Sequence, residues 1–367
     1  MTATTRDSRG SRRRTPRIGA TIHDVAASAG VSVATVSRVL NGKELVREET
    51  SRMVLDAVKA LRYVPNVAAR SLSIRRSHTI GVVLPDLHGQ FFSEVIRGLD
   101  LAARDAGYHI LVSGSHSDSD AMMEVMEAMR GRVDGMAVMA PDVRPSLLSE
   151  GIGAAVPLVL LNAAGSGLDA VTIDNYGGAR AMTRHLLSLG HTDIAFLRGP
   201  EQNGDARERL RGYRQAMRHA AAPRLELEGD FTEAAGREAA RRIMASKQRP
   251  TALFAANDSM AVGAMTALIE TGIGVPRQIA IAGFDDIPIA RYVTPPLTTV
   301  GVDTVDLGRR AFAMLLDVIG NPDHQPRCER IATKIVVRSS CGANTRQRQT
   351  STQPTRKLHG QRKGDKA

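Results

Sequence analysis

The 367-residue sequence has no tryptophan, five tyrosines and seven phenylalanines, and only 3% of it is aromatic. Tyr63 is the only aromatic residue within 1–76. That disfavours a membrane-surface helix with Trp or Phe on its apolar face in this segment. Cysteine is scarce as well: Cys328 and Cys341 are the only two, which excludes a disulfide framework and a four-thiolate zinc site. No apolar run approaches the ~18 residues of a membrane span. None follows the basic first residues as a secretory signal would have. The apolar fraction of 43% is too high for wholesale disorder. These absences read as a soluble, cytoplasmic chain of two or three compact units.

What is present in excess is positive charge, a formal +11, and its distribution is uneven. Residues 1–76 carry a net +9 and residues 342–367 a net +6, whereas 77–341 carry −4. A basic head on a mildly acidic body reads as a polyanion-binding module joined to something else. With so few aromatics, nucleic acid is favoured over membrane. Residues 1–20 and 342–367 lack helical or strand periodicity and read as disordered basic tails. They offer weak phosphate contacts or are merely solvated.

Three short helical patterns follow the first tail. Thr21-x-x-Asp24 is a capping-box signature, and Ile22, Val25, Ala26 and Ala29 repeat at helical spacing until Gly30. Ser32 is a good N-cap for a second helix, with Val31 and Val36 placed as a hydrophobic staple. Val36, Val39 and Leu40 form its buried stripe, while Ala34, Ser37, Arg38 and Asn41 fall on the other face with Val33 beside them. A third helix over Arg47–Leu61 turns Val54, Leu55, Val58 and Leu61 to the same core. This is a helix-turn-helix over 21–65. In 66–77, Asn66 can cap a helix to Leu72 that is too short to stand alone, followed by a polar linker.

From His78 to Cys341 the texture becomes alternating strands and helices. Eleven strands are expected: Thr79–Pro85, His109–Gly114, Gly135–Ala140, Pro157–Asn162, Val171–Asp174, Ile194–Gly199, Leu225–Phe231, Ala252–Asn257, Ile279–Phe284, Leu297–Val302 and Lys334–Ser339. The fold class is α/β, and repeated βαβ units imply two doubly wound parallel-sheet subdomains with a cleft between. The chain is expected to cross between them near 162–175 and 286–303. Ligands of such sheets lie beyond the strands' carboxyl ends, which directs attention to Asp86, Asn162, Asp174, Asn257, Asp258, Asp285 and Asp286.

Residues 21–42 (TIHDVAASAGVSVATVSRVLNG), 63–72 (YVPNVAARSL), 256–264 (ANDSMAVGA) and 283–286 (GFDD) together resemble the lactose/galactose-repressor (LacI–GalR) family of bacterial transcription factors. The resemblance runs from about 21 to 340. It implies a homodimer, or a dimer of dimers, on a near-palindromic DNA operator. It also implies a periplasmic-binding-protein-like body with a small-molecule effector, sugar or nucleoside-like, in its cleft, and no cofactor or metal. Arg38 is the only long donor on the exposed face of the second helix, and its fork suits guanine. Val33 and Ala34 match the family's base-reading positions, where they can meet thymine methyls. Thr21, Ser32, Thr35, Ser37, Asn41 and Asn66 are candidates for phosphate or base-edge contacts. Leu72 matches the leucine that wedges into the minor groove. In the body, Arg209 falls on the effector-binding arginine, Asp285 on the acidic acceptor and Asn257 on a polar contact, while Phe91, Asn162 and Phe231 align with lining positions. Asn162 stands where many relatives place Asp.

Three other functions compete. An enzyme is disfavoured, because Gly151-Ile-Gly153 lacks the third glycine of a dinucleotide loop and no P-loop, H-E-x-x-H or G-x-S-x-G occurs. A transport binding protein would share the body but not the basic head. An architectural DNA-binding protein would not respond to a ligand.

Overall fold

The computed structural model describes residues 20–40, 46–64, 76–116, 118–141, 148, 156–163, 167–321 and 323–343. Asn41, Asn66, Leu72, the expected hinge helix and nearly all of both basic tails lie outside the described residues. The chain divides into a unit up to and including Ser77 and a unit from His78 onward.

The first unit holds α1 (Ile22–Ala29), α2 (Val33–Leu40) and α3 (Glu48–Ala60). Thr21 and Asp24 form the reciprocal capping box. Gly30 ends α1 at φ 63, a left-handed turn that glycine adopts without a Cβ penalty. Val25, Ala26, Ala29, Val36, Val54 and Ala57 are the buried core, with Val31, Val33, Val39, Leu40, Val58 and Leu61 packed partly against it. Leu55 departs from the expected core set, being 46% exposed. The stripe of α3 is Val54, Ala57, Val58 and Leu61, and Leu55 sits about 100° round the helix from Val54.

The second unit contains two six-stranded sheets. In the first, β11 (Cys328–Ile331), β5 (Asp169–Ile173), β4 (Leu158–Leu161), β3 (Gly135–Met139), β1 (Thr79–Leu84) and β2 (His109–Gly114) lie side by side in that order. In the second the order is β12 (Lys334–Val336), β10 (Thr298–Gly301), β9 (Ala280–Asp285), β8 (Ala252–Ala255), β6 (Ile194–Leu197) and β7 (Arg224–Leu227). All pairings are parallel except β10 with β12. The chain leaves the first sheet after Ile173 and the second after Gly301. It then returns once more, because β11 belongs to the first sheet and β12 to the second. That third crossing was not expected, since the polar strand Cys328-Glu-Arg-Ile331 carries no apolar signal.

Helices α4 (Gln90–Asp105), α5 (Ser119–Met129) and α10 (Thr304–Gly320) cover the first sheet, while α6 (Asn175–Ser188), α7 (Gly204–His219), α8 (Glu233–Ala245) and α9 (Asp258–Glu270) surround the second. The two faces of the first sheet bury different sets. Ile80, Val82 and Leu84 join the main core, and Val83 joins a methionine-rich layer with Met122, Met126 and Met129 of α5. The helix pairs α4/α10 and α8/α9 approach through glycine. A Cβ on Gly98 would stand 2.1 Å from the Val305 carbonyl oxygen, and one on Gly236 the same distance from that of Met260.

Candidate functional site

In the first unit the candidate DNA face is α2. Ser32 accepts from the Thr35 amide at 3.1 Å and its hydroxyl lies 2.9 Å from that of Thr35. Thr21 is likewise engaged, its amide and hydroxyl each donating to Asp24 at 2.7 Å. These residues fix the helix ends first and can offer only remaining valences to DNA. Ser32, Ala34 and Arg38 are exposed, while Thr35 and Ser37 are half-buried. Val33 is also half-buried and packed on the core, which limits its reach. Arg38 has no hydrogen-bond or ion-pair partner among the described residues, so its guanidinium is available to a ligand.

In the second unit two hydrogen bonds join the carboxyl ends of the sheets. The Gly204 amide, at the start of α7, donates to the Pro141 carbonyl beyond β3 at 3.0 Å. The Ile289 amide beyond β9 donates to Gln90 Oε1 beyond β1 at 2.9 Å. The cleft therefore lies between these ends, where doubly wound sheets bind ligands.

Arg209 occupies the second sheet's side of the cleft. It sits on the buried stripe of α7 with Ala206, Tyr213, Ala216 and Met217, so burial separates it from the exposed Arg207 and Arg211. Its Nε donates to Asn175 Oδ1 at 2.8 Å and its Nη1 to the Ala256 carbonyl at 2.6 Å. The guanidinium carbon lies 3.9 Å from the centroid of the Phe284 ring and 5.9 Å from that of Phe231. Nη2 is 3.1 Å from Asp285 Oδ1, with the two side chains 4% and 7% exposed. That approach brings opposite charges together but is poorly aligned for a hydrogen bond, and Oδ1 accepts no well-aligned one among the described residues. Burial pushes the Asp285 carboxyl up to about 6, against the opposing pull of Arg209. Asp258, fully buried nearby, is raised well above the ordinary carboxylate range by burial and by the Asp285 charge. It accepts from Thr299 Oγ1 at 2.5 Å and from the Ile287 amide at 3.0 Å.

On the first sheet's side Asn162 follows β4. It is buried, and its Oδ1 lacks a hydrogen-bond partner among the described residues. Asn162, Phe231 and Asp285 have φ of 57, 71 and 114, a left-handed backbone uncommon for non-glycine residues. Such strain persists only where the surroundings enforce it and gathers at binding sites. Phe91, at the start of α4, is half-buried and packs edge-on against Phe92 at 5.5 Å. Asn257 is committed to structure: its Oδ1 caps α9 through the Met260 amide at 3.0 Å, and its Nδ2 donates to the Phe231 carbonyl at 2.9 Å.

Asn175, Phe284 and Asp258 belong to this cluster, and of the three only Asp258 carried a signal in the sequence, as a strand-end acid. Two grooves on the body, about 380 and 860 Å³, are lined by neither Arg209 nor Asp285. Arg209, Phe231 and Asp285 instead close on one another, with Asn257 bound to the Phe231 backbone and Arg209 spending its donors on protein acceptors. Among the described residues, no cluster of His, Cys, Asp and Glu could hold a metal ion and no helix is long and apolar enough to cross a membrane.

Comparison with known proteins agrees with both units. Residues 21–66 match the family described as bacterial regulatory proteins, lacI family, and residues 183–341 match the periplasmic binding protein-like domain. The HTH-type transcriptional repressor PurR of Proteus mirabilis is 36% identical over 330 residues, covering 88% of this chain and 96% of that protein. The ribose operon repressor of Escherichia coli K12 is 35% identical over 328 residues, covering 88% and 99%. Among solved structures, the lac repressor dimer bound to operator and the anti-inducer ONPF superimposes with a TM-score of 0.82. It is 30% identical, over 88% of this chain and 99% of that one. The likeness takes in both the helix-turn-helix head and the two-sheet body and spans 88% of the chain, which belongs to the lacI family of bacterial regulatory proteins.

Proposed function

We propose that this protein is a cytoplasmic, dimeric repressor that reads a near-palindromic operator through α2 and is controlled by a small neutral ligand rich in hydroxyl groups. The carrying observation is a pair of buried acceptors that receive no well-aligned hydrogen bond among the described residues, Asn162 Oδ1 on the first sheet's side and Asp285 Oδ1, held only by the charge of Arg209, on the second's. A buried acceptor left without a donor costs about 1–3 kcal/mol, so a ligand that donates to both recovers that energy and ties the subdomains together. Arg209 is already balanced by Asp285, which removes the free positive charge that a carboxylate or phosphate ligand would need. A sugar meets these demands. With Phe91 and Phe231 as the nearby aromatic surfaces and no tryptophan in the chain, stacking of a purine is less well served.

On the DNA side, Arg38 supplies base recognition, with Ala34 and Val33 offering apolar contact to thymine methyls. Leu72 is assigned the minor-groove wedge on the strength of the 63–72 motif. Effector binding changes how the two sheets close, and thereby which DNA-binding state is populated. Family membership removes the enzyme reading. The test is selection of binding sites from random duplexes by the full-length protein, followed by titration of the selected site with pentoses, hexoses and nucleosides. A palindromic site whose affinity shifts with a sugar supports the proposal. An affinity indifferent to every neutral polyol and responsive to a nucleoside overturns the ligand assignment.

A further inference from the structure

A groove of about 860 Å³ runs along α7, and Arg209 is not among the residues that line it. Arg198, Arg207, Arg211, Arg214 and Arg218 line it, with Glu201 and Glu208. The spacing 207, 211, 214, 218 puts four guanidinium groups on one helix face, extending over roughly 16 Å at ~1.5 Å per residue. Their anchoring differs. Arg214 is held by Glu226 through two bonds of 2.8 Å, and Arg211 pairs with Glu208 at 2.6 Å and lies over the Tyr176 ring at 4.5 Å. Arg207 donates only to the backbone carbonyls of Glu201 and Gln202, and Arg218 only to Gln215 Oε1 at 3.5 Å. These last two charges have no carboxylate partner among the described residues.

Arg198 adds an independent observation. Its Nη2 reaches Glu228 at 3.3 Å, but its Nε is buried without an acceptor. Three buried side-chain polar atoms lack a partner among the described residues: two belong to the effector cleft, and the third is this nitrogen in the wall of the groove. Orphaned polar groups of this kind are uncommon in folded proteins, and this one belongs to an arginine that lines the groove and is paired only with Glu228 at 3.3 Å.

We propose that the groove is a second ligand site, distinct from the cleft, for a compact polyanion of the di- or triphosphate kind. Planar guanidinium forks held at fixed positions match phosphate oxygens through paired, charge-assisted hydrogen bonds. The site shares α7 with the cleft. Gly212 packs beneath the Tyr176 carbonyl, where a Cβ would stand 2.4 Å away, and the neighbouring Asn175 holds Arg209.

Calorimetric titration of the full-length protein with sodium tripolyphosphate, at a constant ionic strength of about 0.15 M to suppress loose surface binding, tests the proposal. Saturable binding of one tripolyphosphate per chain is expected. It should weaken by roughly tenfold or more in the Arg207→Ala/Arg218→Ala double variant and persist in Arg38→Ala. The charge-keeping Arg207→Lys/Arg218→Lys form guards against a folding defect and should bind with an affinity between those of the parent and the alanine form. Absence of saturable heat overturns the proposal. So does equal affinity in the alanine double variant, or binding lost on Arg38→Ala, which would place the anion on the DNA-binding head.

Discussion

Arg209 and Asp285 form a buried pair held by charge more than by hydrogen-bond alignment: the groups approach to 3.1 Å, yet Asp285 Oδ1 accepts no well-aligned hydrogen bond among the described residues. Arg209→Ala would leave the carboxylate alone in the interior. Removing one partner of a buried pair costs about 3–5 kcal/mol, and a lone carboxyl can escape part of that by protonating. The loss of stability is therefore expected to be smaller at pH 5 than at pH 7.5 in urea unfolding, together with loss of the effector response. An identical loss at both pH values would contradict the pair.

Asp285 itself gives a pH dependence. Its folded-state value, about 6, lies above the ordinary 3.8, so its contribution to stability is fully present below 3.8 and is lost as pH rises through 6. Effector binding should run the other way. An ionised carboxylate accepts the stronger hydrogen bond, and at pH 5 only about a tenth of the groups are ionised. Effector affinity is expected to rise by up to roughly tenfold between pH 5 and pH 7. Asp285→Asn should flatten that profile, and a profile unchanged in the variant would remove Asp285 from ligand contact.

Arg38→Ala removes the long donor from the exposed face of α2. A bidentate arginine–guanine contact is worth about 1–3 kcal/mol and acts at one base pair. Site selection with the variant should show relaxed preference at one position in each half-site. A uniform weakening on all DNA sequences would mark Arg38 as a phosphate contact instead.

Gly98 and Gly308 set the approach of α4 to α10. A Cβ on Gly98 would stand 2.1 Å from the Val305 carbonyl, and one on Gly308 would stand 2.3 Å from that of Val95. Because backbone cannot yield as a side-chain tip does, Gly98→Ala is expected to lower stability by about 1–3 kcal/mol. A melting temperature equal to that of the parent would mean that the helices separate freely.

Apolar runs and capping residues made much of this architecture readable in the chain. His109–Gly114 alternates and lies where its pattern places it, and Thr21, Ser32 and Gly30 bound the helices they announce. Strand β11 escaped notice because an edge strand with one buried side chain has little periodicity to show. The site was legible at the level of residue type. Arg209 could be told from its four arginine neighbours by its place on the stripe of Ala206, Tyr213, Ala216 and Met217. Asn175 could not, since its role depends on a contact between residues 34 apart. Asn257 was legible as a strand-end polar residue, but not as a cap whose amide is already spent.

The late pairing of β11 with β5 and of β12 with β10 has a consequence for synthesis. Residues 169–173 and 298–301 leave the ribosome with one sheet edge bare, and both edges stay bare until the segment 328–336 emerges. A chain cut short before Cys328 would leave the longer strands β5 and β10 as the bare edges. The two short strands, three and four residues long, thus stand at the edges in their place, presenting less unpaired backbone to neighbouring chains.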